Sequence, residues 1–140
     1  MHPFHLMLVF FAAIALIGFV YLLRWERRHF AGRGLAGSWL WVRLASIPAA
    51  LLVLVLAVVP ARSTSGMEGL AVFYFVLLVV APPLWFGLHW VAGRVVKPPL
   101  AFADSARIAA SPLLYALALA AVSPMLQSFG WGLLRALGAE

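Results

Sequence analysis

Long runs of apolar residues without a single Asp, Glu, Lys or Arg constrain this chain more than anything else in it. Residues 4–23 form a run of 20, residues 70–92 one of 23 and residues 108–134 one of 27. At about 1.5 Å of rise per residue, each is long enough as a helix to cross a hydrocarbon core of roughly 30 Å. A fourth run, 44–59, has 16 residues and would reach only about 24 Å. Trp39, Leu40, Trp41 and Val42 extend it backwards, with Arg43 snorkelling its guanidinium to the headgroups. Pro124 lies inside the last run and is a candidate break in it. No water is available in lipid to satisfy exposed backbone groups, so such runs must be helical. The expectation is an all-α membrane protein with four transmembrane helices, forming a single transmembrane domain over 1–140. Composition excludes the alternative: 66% of residues are apolar and 10% charged, against about 25% charged in a soluble domain. Mean hydropathy is +1.06, and no polar surface can be assembled from so few charges.

Lysine and arginine predict the direction of the spans. The first loop carries Arg24, Arg27, Arg28 and Arg33, with Arg43 at its far edge, and the third carries Arg94, Lys97 and Arg107. Only Arg62 and Arg135 fall on the other side. The positive-inside rule then puts both basic loops in the cytoplasm and both termini outside. The expected location is a bacterial inner membrane, with periplasmic termini. Trp25, Trp39, Trp41 and Trp90 would form the aromatic belt of the inner interface. The first run reads as a retained span and not as a removable signal, because its basic residues follow the apolar stretch instead of preceding it.

An internal repeat is visible. Arg43, Pro48 and Pro60 recur with the same spacing as Arg107, Pro112 and Pro124, and Arg24-Trp25 matches His89-Trp90. This suggests two tandem helical hairpins, 5–60 and 69–124, in a parallel pseudo-twofold arrangement about the membrane normal. Superposition of the two segments with a rotation near 180° would be its signature.

The chemistry offered is sparse. Cysteine is absent, which excludes disulfides, thiolate metal sites, iron–sulfur clusters and cysteine nucleophiles. The acids Glu26, Glu68, Asp104 and Glu140 are all expected in loops or at a terminus, so no span is expected to carry a carboxylate for coupled transport. His2 and His5 lack a third metal ligand. His5 and His89 would lie about 28 Å apart along the spans, too far to share a haem. Residues 32–37 match GxGxxG in form, but a dinucleotide fingerprint needs a βαβ context that membrane helices do not supply. A glycine turn is the expected role. No triad, P-loop or HExxH pattern is present, so no catalytic residue, metal or cofactor is expected and the chain leans away from being an enzyme. The basic loops are too short for nucleic acid and are explained by a solvated inner face.

Two features remain as candidate sites. Pro82 and Pro83 lie centrally in the third span, where they remove two backbone donors and mark a hinge or fixed kink; Ser46, Ser111 and Ser123 are candidate donors to the freed carbonyls. At the inner interface, Arg43 and Arg107 with Arg24 and His89 would form a basic site for an anionic lipid headgroup or small phosphorylated anion. The leading functional expectation is a non-catalytic subunit or scaffold of a larger membrane assembly, partnered by the bilayer and by other membrane subunits or further copies. The alternatives are a small lipid- or anion-binding protein or carrier, and a subunit that shares a redox cofactor with partners.

Overall fold

The computed structural model describes residues 3–64, 66–136 and 138, so His2 and Glu140 lie outside the described residues. All of its regular elements are helices. They are α1 (Pro3–Ala31), α2 (Ala36–Ser63), α3 (Met67–Phe75), α4 (Ala81–Val95) and α5 (Phe102–Ala136). A π-helical turn, Val76–Val80, joins α3 to α4 so that Met67–Val95 runs as one span. Four stretches are therefore long and apolar enough to cross a membrane: His5–Ala31, Ala36–Ser63, Met67–Val95 and Phe102–Ala136. The chain is an all-α four-helix membrane protein.

The helices extend well beyond the charge-free runs, and this corrects two expectations. Pro124 does not break the last span: α5 continues through both Pro112 and Pro124 for 35 residues. The carbonyl that Pro124 would otherwise leave without its helical donor is that of Ala120, and Ser123 Oγ donates to it at 2.8 Å. A neighbouring hydroxyl thus replaces the missing N–H. Nor are the acids confined to loops. Glu26 lies inside α1, within the span His5–Ala31, while Glu68 and Asp104 occupy the first turns of α3 and α5. Helix N-termini favour negative charge, so those first turns suit acids.

The π turn falls directly before Pro82-Pro83. The N–H of Ala81 reaches back five residues to Val76 O. A pyrrolidine ring collides with the carbonyl four residues earlier in an α-helix; the wider turn moves those carbonyls out of the way and lets the span continue. Ser46, Ser111 and Ser123 make their bonds elsewhere, to His89, Glu26 and Ala120.

Turns satisfy the helix ends. α1 closes with a Schellman motif: Leu35 N–H bonds Phe30 O at 2.8 Å and Gly34 N–H bonds Ala31 O at 3.0 Å. Gly34 takes φ of 71°, which an L side chain tolerates poorly. The second glycine of the GxGxxG run therefore stops a helix. At the end of α2, Ser63 Oγ and Thr64 Oγ1 bond the carbonyls of Pro60 and Ala61, covering groups that the helix itself cannot satisfy. After α4, Leu100 N–H returns to Gly93 O at 2.7 Å.

Contacts divide the chain into two compact units. The first comprises residues 1–26 and 111–140. Here Tyr115 donates its hydroxyl to Ala15 O at 2.7 Å, Phe10 meets Phe129 at 6.4 Å, and Ser111 donates to the Glu26 carboxylate. The second unit, 27–110, packs α2 along α3, the π turn and α4. Its buried side chains include Phe30, Trp39, Val42, His89 and Ile108. Trp39 thus belongs to the core, whereas Trp25, Trp41 and Trp90 are exposed as belt residues would be.

Candidate functional site

Apart from Arg24, both basic segments belong to the 27–110 unit, and side chains tie them together. Arg33 of the first loop donates to Asp104 Oδ1 at 2.5 Å. Through that hydrogen bond and its charge, Asp104 pushes the Arg33 guanidinium above its ordinary pKa, so this partner stays cationic. Ser38 Oγ donates to Pro98 O at 2.6 Å. Arg107 Nη1 lies 2.7 Å from His29 Nε2. A guanidinium can only donate, so His29 Nε2 accepts and its ring is neutral in this arrangement. The first and third loops are therefore at one end of this unit.

His89, on α4, is only 2% exposed. Its Nδ1 is 2.8 Å from Trp85 O and its Nε2 is 2.7 Å from Ser46 Oγ on α2. A carbonyl only accepts, so Nδ1 carries the proton; Nε2 of the neutral ring then accepts from the Ser46 hydroxyl. The imidazole also stacks obliquely on Trp85, with ring centres 4.4 Å apart. Trp85 in turn donates Nε1–H to Ala109 O on α5 at 2.8 Å. One polar chain, Ser46–His89–Trp85–Ala109, thus fastens α2, α4 and α5. Arg43 sits one turn before Ser46 on α2, half-buried. Both ring nitrogens of His89 are engaged, which leaves none aimed outward as a metal or haem ligand.

Of the four residues of the expected basic site, Arg43, His89 and Arg107 belong to the 27–110 unit. His89 is bonded to Ser46 and Trp85, and Arg107 to His29. Arg24 is exposed and belongs to the 1–26/111–140 unit. Among the described residues no group of three His, Asp or Glu side chains could hold a metal ion.

Glu26 was missed as a buried residue. It is 0% exposed and accepts from Ser111 of α5. A signal existed: Glu26 is four residues from both Leu22 and Phe30, the spacing of one helical face. The cluster Arg24, Arg27 and Arg28 around it suggested a solvated loop instead. A shallow apolar groove was equally hidden from the sequence. It has a volume of about 540 Å³ and is lined by Trp41 and Ala45 of α2, Ala92 and Val95 of α4, and Val96 and Lys97 beyond it.

Comparison with known protein families, characterised proteins and solved structures finds no match to this chain. Its function is therefore argued from its own geometry.

Proposed function

We propose that this chain is a non-catalytic integral membrane subunit, a scaffold that contributes packed helices to a larger assembly or to copies of itself. One observation carries the reading. Four polar contacts within the spans fasten helix to helix: Ser46–His89, Trp85–Ala109, Tyr115–Ala15 and Ser111–Glu26. The outward faces meanwhile present large apolar side chains such as Leu16, Ile47, Leu78 and Leu117. Interhelical hydrogen bonds of this kind stabilise membrane bundles, and outward apolar faces suit lipid or neighbouring helices. Full engagement of His89 speaks against a shared haem, and the bond from Arg107 to His29 speaks for a fastening role over a free anion site. Native mass spectrometry after gentle solubilisation is expected to give a stoichiometric complex, with other membrane subunits or with further copies. A protein that is monomeric and partnerless in the mildest detergents would overturn the proposal.

The same reading places the chain in a bacterial inner membrane with both termini on the periplasmic side. Support comes from the positive-inside rule and from the ties that hold the two basic loops at one end of their unit. The tandem arginine–proline spacing belongs to this proposal as the trace of a duplicated hairpin. A reporter that fluoresces only in the cytoplasm, fused to the N-terminus, is expected to stay dark. Bright fusions would reverse the orientation.

A further inference from the structure

We infer that the groove between the start of α2 and the end of α4 binds an anionic phospholipid from the leaflet at the basic end. Its wall is apolar and made of small or flat side chains: Ala45 and Ala92 leave the hollow, and Trp41, Val95 and Val96 frame it. A volume of about 540 Å³ lies within the range of small-molecule sites, about 300–1,000 Å³. The groove belongs to a helix pair that spans the membrane, so acyl chains are the matching apolar occupant.

Charge selects the headgroup. Lys97 stands at the rim, exposed, two residues past the last helical residue of the span. Three other basic groups at this end are directed elsewhere: Arg33 to Asp104, Arg107 to His29, and Arg94 over the Trp90 ring at 5.9 Å. Asp104, the acid of this loop, is taken by Arg33, which leaves Lys97 to face the headgroup layer as a cation. A lysine ammonium pairs with phosphate as a point charge without a fixed fork. An apolar trough ending in one cation fits a chain-bearing phosphate ester with net negative charge. This site is distinct from the basic site expected at Arg43, Arg107, Arg24 and His89, because Trp41 and Ala45 lie on a different face of α2 from Arg43. The inference does not depend on the scaffold proposal, which concerns protein partners.

The test uses the full chain in nanodiscs of equal phosphatidylglycerol and phosphatidylcholine, with retained lipid counted by native mass spectrometry after release into mild detergent. Wild type is expected to retain phosphatidylglycerol in preference to phosphatidylcholine. Lys97→Gln should reduce that preference about fivefold, and Lys97→Arg should keep it. Ala45→Leu, which fills the hollow, should lower retention of both lipids. Inorganic phosphate alone should not displace the lipid. Equal retention by wild type and Lys97→Gln would overturn the inference, as would displacement by inorganic phosphate or unchanged retention in a folded Ala45→Leu. Should Ala45→Leu fail to fold, the exposed Lys97→Gln change decides the matter by itself.

Discussion

Replacing His89 by alanine is expected to destabilise the protein by about 3 kcal/mol, chiefly through packing. The imidazole is 2% exposed and lies against Trp85, so its removal leaves a cavity between α2 and α4. The hydrogen bonds add less: interhelical bonds in membrane proteins average about 0.6 kcal/mol. Ser46 also keeps an alternative acceptor, since its Oγ is already 3.5 Å from Val42 O. His89→Phe separates the contributions, because it restores volume but not the bonds; a loss of about 1 kcal/mol is expected. Unfolding of the purified protein in detergent, by heat or by denaturing surfactant, reads both variants. A His89→Ala protein within about 0.5 kcal/mol of wild type would behave as a surface substitution. That result would mean His89 is an interfacial side chain and not a fastening one.

Gly69→Ala is expected to cost about 2 kcal/mol, although alanine is the better helix former by about 1 kcal/mol. A Cβ at this position would lie 2.6 Å from Ala61 O and 3.0 Å from Thr64 O. Both are backbone atoms of α2 and the turn that follows it, so relief requires moving the chain and not rotating a side chain. At Gly69, α3 passes close against the end of α2. Gly87→Ala provides the contrast: nothing lies within 4 Å of its Cβ position. The same substitution there should be neutral or stabilising, by up to about 1 kcal/mol. Opposite signs for the two glycines, measured in one detergent, are the expected outcome. Equal effects would show that helix propensity governs both positions and that the α2–α3 approach yields to a methyl group.

The membrane class and the number of spans were legible in the residues because both depend on local quantities. Length of an apolar run and absence of charge decide whether a helix can cross lipid, whatever it packs against. The glycine turn at 32–37 was legible in the same way, since Gly34 supplies a left-handed conformation that an L side chain tolerates poorly. Helix ends were less so. Arg24 to Arg33 looked like a loop and Pro124 like a break, yet α1 runs on to Ala31 and α5 passes through the proline. A proline costs a span little when a hydroxyl such as that of Ser123 can bond the freed carbonyl.

Partners of the polar side chains were not legible, because they are set by which helices meet. Glu26 looked solvated among arginines and is buried against Ser111, a residue 85 positions away. His89 looked interfacial beside Trp90 and is held by Ser46, 43 positions away. Arg107 looked like an open basic residue of the inner face and is bonded to His29, 78 positions away. The sequence by itself determined that lipid is the solvent, that there are four helices, and which loops carry the positive charge. Only tertiary structure decided which polar groups are buried together and where small side chains leave a groove. The reason is physical: a helix exposes every side chain on some face, and only the neighbouring helix determines whether that face meets lipid, water or a hydrogen-bonding partner.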